Sequence, residues 1–331
     1  RACYEPISLA NFVLSNINLA TNIDPDLQSR IEGEASFLRA MHYFNLVRIF
    51  GDVPLILKET EGDDNFLVSR TPISEVYDAI ITDLNVAINQ LPLKSEYAAD
   101  DAGRASKGAA QALLAKVYLT LGDFEKTVNL TTAVMESNEY YLEPNFKDIF
   151  KAENDNGPEW LFSYAVNGEA NQSTHQVAQF GFPNNLGKFG FRRAFGNIWL
   201  KDPLLALYDQ ENDTRFIDMV WNEYTDPGTG ETVEFTKGTG YYSRKYDDVE
   251  FSKDMAFTRI NYPVLRYSDV LLMYAEALNE VSPLNNDALV KLNMVRNRAN
   301  LGDITLAMVA SPEDLTNMIL DERRLEFVNE N

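Results

Sequence analysis

The hydrophobic and polar positions of this chain divide it into two helix-rich blocks around a long stretch without periodicity. In the first block, "ISLANFVLSNINLA" (7–20) carries apolar residues at helical spacing. "SFLRAMHYFNLVRIF" (36–50) predicts a second helix whose apolar residues fall on every side, with Arg39, His42, Asn45 and Arg48 scattered over half the circumference. A helix apolar all round packs between neighbours on several faces, so this one is expected at the centre of a helical stack, with His42 as a core or near-core residue. Gly51 suits a left-handed helix end, and Pro54 prevents continuation. The next segment, 71–92, opens with Thr71, Pro72 and Glu75 and stops at Pro92. Its apolar stripe runs through Ile73, Val76, Tyr77, Ile80, Leu84, Ala87 and Leu91.

Segment 106–137 predicts a helical hairpin. Ala110, Leu113, Leu114, Val117, Tyr118 and Leu121 recur at helical spacing, Gly122 ends the first helix, and Asp123 caps the second. The inner face of that second helix is expected at Phe124, Val128, Thr132 and Met135. This spacing resembles a tetratricopeptide unit, except that Thr127 stands where a small residue is usual. The last block repeats the idea. In "LRYSDVLLMYAEALNEV" (265–281), Tyr267, Val270, Leu271, Tyr274, Ala275, Ala277 and Leu278 share one face; Ser268, Asp269, Glu276, Asn279 and Glu280 share the other. After Pro283, Ala288, Leu292 and Val295 mark another inner face, and 311–327 opens with Ser311 as cap, Pro312 in the first turn and Asp314 in capping-box position.

Residues 138–262 read differently: they hold 24 of the chain's 38 aromatic residues, all three tryptophans and 10 of its 17 glycines. So many large rings argue against disorder, and the turn-dense text argues against long helices, so an ordered, loop-built lobe is expected. Short strands are expected at 159–164 and 232–235. The predicted fold is therefore mainly α: tetratricopeptide-like helix pairs in 1–137 and 263–331, with an irregular aromatic-rich lobe at 138–262, all in one compact unit.

Composition narrows the function classes. A net charge of −21 argues against nucleic acid as a partner and against simple docking on an anionic membrane. The single cysteine, Cys3, excludes an internal disulfide and a multi-cysteine metal site; His42 and His175 lie too far apart for a metal-type spacing. No apolar run is long enough to span a bilayer, and no signal peptide opens the sequence. There is no Gly-x-Ser-x-Gly and no phosphate-binding glycine loop. Asp247 and Asp248 are the most tempting carboxylate pair for glycoside hydrolysis, but adjacent side chains more often point apart. Arg192 and Arg193 read as a solvated or salt-bridged pair.

What remains is a set of rings on turns. A flat ring can stack on the apolar face of a sugar while amides, hydroxyls and charged groups bond its hydroxyls. Trp199, Trp221, Asn222, Tyr224, Tyr241, Tyr242 and Arg244 are the ligand-binding candidates; the competing reading is that these rings form the core of the lobe, since an irregular layer also needs burial.

Several stretches, in order, resemble the SusD/RagB family of nutrient-binding outer-membrane lipoproteins of Bacteroidota: "EASFLRAMHYFNLVRIFGDVPLI" (34–56), "ASKGAAQALLAKVYLTLGDFEKT" (105–127), "DTRF" (213–216), "YPVLRYSDVLLMYAEALNE" (262–280), "LNMVRNRANL" (292–301) and "LDERRLEF" (320–327). The resemblance implies tetratricopeptide-like helix pairs cradling an irregular ligand lobe. It also implies a non-catalytic role without cofactor or metal: capture of oligosaccharide, or in some relatives peptide, and transfer to a TonB-dependent SusC-like transporter that such proteins cover as a lid. The family's motifs are structural, so they transfer no binding residue to this chain. Cys3 sits directly before a helical segment and is not read as the lipid-attachment cysteine; the anchor is expected on an N-terminal segment outside these residues, and family members also continue beyond the last helix. The alternatives are a tetratricopeptide adaptor that binds peptides and an all-helical glycoside hydrolase.

Overall fold

The computed structural model describes residues 3–60, 67–166, 181, 183, 186, 189, 195–248 and 258–330. The chain divides into two compact units, Arg1–Glu139 and Tyr140–Asn331. The fold is mainly α, as the periodicity predicts, with a few short strands confined to the second unit.

In the first unit, five helices pack successively: α1 (Tyr4–Asn16), α2 (Pro25–Phe50), α3 (Ile73–Gln90), α4 (Lys107–Leu121) and α5 (Phe124–Glu136). Helix α2 begins well before the apolar run that announced it. Asp24 caps it, accepting from the backbone N–H groups of Asp26 and Leu27, and Pro25 takes the first turn. It packs on both α1 and α3, which is why its middle is apolar all round, and His42 is buried there. Burial lowers the pKa of His42, so its imidazole is neutral at physiological pH. The last turn departs from the expectation: Ile49 and Phe50 are exposed. Gly51 ends the helix at φ 64°, and the Tyr43 hydroxyl then holds the departing chain, donating to Ile56 O at 2.8 Å and accepting from Ile56 N at 2.7 Å.

Arg39 joins three helices. Its Nε and Nη2 donate to the two oxygens of Asp83 on α3 at 2.8 and 2.7 Å, and Nη1 donates to Asn11 Oδ1 on α1 at 2.9 Å. The hairpin of α4 and α5 turns on Gly122, at φ 76°, with Asp123 as cap. The buried face of α5 is Thr127, Thr131 and Val134 rather than Phe124, Val128, Thr132 and Met135. The opposing helix buries Gly108 and four alanines besides Leu113, Leu114 and Val117, and at Ala115 it comes near enough for the Thr127 hydroxyl to lie 3.4 Å from its carbonyl oxygen. Thr127 is tolerated because its hydroxyl donates to Asp123 O, one turn back, at 2.9 Å.

Among its described residues the second unit contains three two-stranded antiparallel ladders: β1 (Trp160–Tyr164) with β6 (Tyr262–Arg266), β2 (Val220–Trp221) with β5 (Tyr242–Ser243), and β3 (Glu223–Thr225) with β4 (Thr232–Glu234). The helices among its described residues are α6 (Asp202–Leu205), α7 (Thr214–Met219), α8 (Tyr267–Val281), α9 (Asn286–Arg298) and α10 (Pro312–Glu326). Helix α8 packs on both α9 and α10, so part of the face read as polar is buried. Ser268, Asp269 and Asn279 are enclosed, each with a partner: Arg266 donates to Ser268 Oγ, Arg323 to Asp269, and Asn279 Nδ2 to Pro312 O.

A buried ion network ties the irregular stretch to these helices. Glu159, beside β1, accepts from Arg298 on α9 at 3.1 Å and pairs with Arg266 on β6. Glu326 on α10 accepts from Arg266 at 2.9 Å and pairs with Arg298. Arg215 on α7 is held by Asp213 at 2.8 Å and by Glu322 at 2.6 Å, and Lys245 donates to Glu326 O and to Glu330, both at 2.6 Å. Burial alone would raise the Glu326 carboxyl, but Arg298, Arg266, Arg215 and Lys245 outweigh it and hold it well below the usual carboxylate range.

Glu326→Gln leaves these buried cations short of a counter-charge and is expected to cost about 3–5 kcal/mol in urea unfolding. A depressed carboxyl contributes stability in full above its unfolded pKa of about 4.3 and loses it as the pH falls below that value. Unfolding of the variant should therefore depend less on pH in acid than that of the wild type; identical slopes would show that this carboxylate carries no charge-linked stability.

Candidate functional site

A cleft of about 540 Å³ opens in the first unit between the start of α2 and the end of α3, lined by residues such as Leu27, Arg30, Gln90 and Leu91. None of the residues lining it is aromatic, and two of its polar side chains are partly engaged: Arg30 Nη1 donates to Asp101 at 2.9 Å and Gln90 Nε2 to Glu32 at 2.8 Å. The sequence candidates all lie in the second unit, and the structure divides them.

Trp221, Tyr224 and Tyr242 are buried together with Leu186 and Phe235. Trp221 and Tyr242 are cross-strand partners on β2 and β5. Edge-to-face contacts join Trp221 to Phe235 (5.2 Å between centroids), Phe235 to Tyr242 (5.6 Å) and Trp221 to Tyr224 (6.1 Å). The hairpin β3–β4 that supports this cluster is closed by Asp226, whose Oδ1 accepts from Gly228 N and Thr229 N, with Gly230 at φ 72°. These three rings give the lobe a core.

Asn222 is exposed, Tyr241 and Trp199 are half-buried, and Arg244 lies between, its guanidinium 4.7 Å from the centroid of the Trp221 ring and 2.8 Å from Asp247. Tyr241 turns away from its neighbour Tyr242 toward Phe216, at 6.1 Å, in a separate cluster with Leu200 and Tyr208. The two adjacent rings, Tyr241 just before β5 and Tyr242 on it, therefore enter different clusters.

Trp199 is the candidate with the most defined setting. Its extended segment lies beside the 237–241 turn: Leu200 N donates to Tyr241 O at 2.8 Å and Thr239 Oγ1 to Leu200 O at 2.6 Å. Gly238, at φ 66°, lies so close that a Cβ there would fall 2.4 Å from the indole. Lys201 Nζ sits 4.5 Å and Lys237 Nζ 5.9 Å from the ring centroid, and Lys237 also donates to Asn197 Oδ1 at 2.8 Å and Phe195 O at 3.2 Å. Lys201, Lys237 and Asn197 were not singled out in the sequence; only a tryptophan two residues before a lysine, and a distant Lys-Gly pair, marked them. The other two tryptophans, Trp160 and Trp221, are buried, so Trp199 is the indole open to solvent.

The carboxylate pair separates. Asp247 is buried against Arg244, and Asp248 is bound to Arg259 at 2.7 and 2.8 Å. Near Asp248, Asp155 accepts from Asn261 N with both oxygens, at 3.2 Å. Burial pushes Asp155 up to about 7, opposed by that hydrogen bond and reinforced by Asp248. Among the described residues no group of three or more His, Cys, Asp or Glu could hold a metal ion, and no helix is long and apolar enough to cross a membrane. Arg192, Arg193 and His175 lie outside the described residues.

With this geometry in place, comparison with known proteins is informative. Residues 123–331 match the SusD family, and residues 1–119 match a related family described as starch-binding and associating with the outer membrane. The chain belongs to the SusD family. A SusD-like protein of Formosa agariphila is 30% identical over 349 residues, covering 99% of this chain and 68% of that protein. A crystal structure of a SusD superfamily protein from Parabacteroides distasonis is 28% identical with a TM-score of 0.85, over 97% of this chain and 70% of that one. A laminarin binding SusD-like protein is 26% identical with a TM-score of 0.82, over 99% and 74%. Four of the six stretches that carry the family likeness meet in the ion network, through Asp213 and Arg215, Arg266, Arg298, and Glu322 and Glu326.

Gly238→Ala is expected to push Trp199 off its seat and raise the fraction of tryptophan fluorescence that acrylamide quenches; unchanged quenching would mean the contact is not a constraint. Asp155, raised by burial, favours the folded state while protonated, so its contribution is present in acid and lost as the pH rises from roughly 3.9 through about 7. Asp155→Asn should flatten that part of the stability–pH curve, and thermal melts across pH 4–8 would detect a failure to do so.

Proposed function

We propose that this SusD-family protein is a non-catalytic glycan-binding component of the bacterial outer surface, and that Trp199 is the stacking platform of its ligand site. The observation that carries the reading is the half-exposed indole braced by Gly238 and ringed by Asn197, Lys201 and Lys237. A saccharide ring laid on the indole would bury apolar surface, while the amide and ammonium groups reach its hydroxyls. Asn222, Tyr241 and Arg244 retain enough exposure to extend such a site; Trp221, Tyr224 and Tyr242 would act through it by fixing the strands. The laminarin binding named for one structural relative, and the starch binding named for the family matched by residues 1–119, favour a glucan or another glycan over a peptide.

The non-catalytic part of the reading is supported by the ion pairing of Asp247 and Asp248 with different arginines, which leaves this pair unsuited to converge on one glycosidic bond. On the resemblance to SusD/RagB proteins, the captured ligand passes to a SusC-like TonB-dependent transporter, beside which the protein is held by a lipid anchor.

A glycan and peptide array on the purified protein tests the reading. Trp199→Ala should weaken glycan binding by roughly 5- to 100-fold, the equivalent of about 1–3 kcal/mol of lost ring burial, and, because this ring is only partly buried against the Trp221 cluster, should cost less stability than loss of Trp221. Trp221→Ala should instead cost about 3–5 kcal/mol of stability. Peptide binding alone, or glycan binding indifferent to Trp199, would overturn it.

A further inference from the structure

Lys201 and Lys237 bring two ammonium groups to one half-buried indole, yet among the described residues neither pairs with a carboxylate. That is unusual for this chain, in which 50 acidic residues face 29 basic ones. Most other cations near rings in this unit are matched: Arg244 over Trp221 by Asp247, Arg298 over Phe146 by Glu159 and Glu326, Lys245 over Phe150 by Glu330. Lys237 is satisfied by neutral oxygens, Phe195 O and Asn197 Oδ1. Lys201 is exposed, and even Asp202, next in sequence, is not among its partners.

From this placement, and resting on the glycan-binding reading above, we propose that the Trp199 site selects an acidic saccharide, one whose carboxylate or sulfate group takes the unmatched charge of Lys201 and Lys237 as a sugar ring lies along the indole. An ammonium stacked on an indole gains from the ring's negative face and is only partly desolvated there, so it remains available to a stronger, charged acceptor. A neutral sugar offers hydroxyls that compete poorly with water for the same ammonium; a carboxylate or sulfate forms a charge-assisted hydrogen bond, roughly twice as strong as a neutral one. The overall charge of −21 does not forbid an anionic ligand. At physiological ionic strength the screening length is about 8 Å, so distant carboxylates are largely screened from the ligand, whereas an ammonium in contact with it is not. Lys237 is positioned by its two neutral acceptors, which fixes one charge at the rim of the platform, while Lys201, free of such ties, can follow the ligand.

The test compares three probes of similar length on the intact protein by calorimetry: a neutral β-glucan oligosaccharide, an oligouronate and a sulfated oligosaccharide. The proposal expects one of the two acidic probes to bind at least about tenfold tighter than the neutral one, and which of them wins separates carboxylate from sulfate recognition. Lys201→Gln should lower that affinity roughly three- to tenfold, a larger loss than for the neutral probe, and Lys201→Arg should restore it in part. Raising the salt from 0.05 to 0.5 M should weaken the acidic probe selectively. Equal or tighter binding of the neutral probe, lost with Trp199→Ala but indifferent to Lys201→Gln, would overturn the acidic selectivity and leave the glycan-binding reading standing. Absence of binding to any of the three would overturn both. Should Lys237→Gln disturb the turn, its acrylamide quenching would reveal it, and the Lys201 variants alone decide.

Discussion

Glu326 lies fully buried among the charged ends of Arg266, Arg298, Arg215 and Lys245, and each of those cations reaches it from a different part of the second unit. Burying so many charges is tolerable only when each carboxylate and guanidinium is matched and hydrogen-bonded, so the network behaves as a set of simultaneous conditions. Glu159 must arrive with β1, Asp213 and Arg215 with α7, Lys245 just after β5, Arg266 with β6, and the remaining members with α9, α10 and the residues just after it. A stretch with few regular elements thereby acquires fixed attachment points that hydrophobic burial by short strands could not supply.

The ring cluster depends on that attachment. Two-residue ladders such as Val220–Trp221 with Tyr242–Ser243 are too short to be stable alone. They persist because Trp221, Phe235 and Tyr242 interlock at right angles and because the backbone on either side is tied, with Arg244 N donating to Met219 O and Lys245 fixed at Glu326. Rigid support matters for binding, since a platform that is already in place loses little entropy when a ligand arrives.

The helices were legible because their signals are local: Gly122 and Asp123 at the hairpin, Ser311 and Pro312 at α10, and the all-round apolar text of α2. Burial faces were less so. Helical spacing alone points to Phe124, Val128, Thr132 and Met135 on α5, whereas packing beside a helix rich in buried alanines encloses Thr127, Thr131 and Val134 instead. Ser268, Asp269 and Asn279 were placed at the surface of α8 because they are polar, but a helix flanked on two sides buries polar groups wherever partners from other elements meet them, and those partners are distant in sequence. The candidate site shows the same limit. Type and position identified a ring-rich lobe, yet only register separates Tyr241 from Tyr242, and only the fold brings Lys237 and Gly238 to Trp199.

The ion network also restricts how a lobe of this kind can diversify. A transplanted replacement for the stretch between β1 and β6 would strand the charges of α10 unless it carried its own counterparts of Asp213, Arg215 and Lys245 at matching positions. New ligand preferences are therefore reached more readily by rewriting the spans between those anchors, such as the Trp199 and Lys237 turns, than by exchanging the lobe wholesale. The charges that hold the architecture together act as the grammar within which its vocabulary can change.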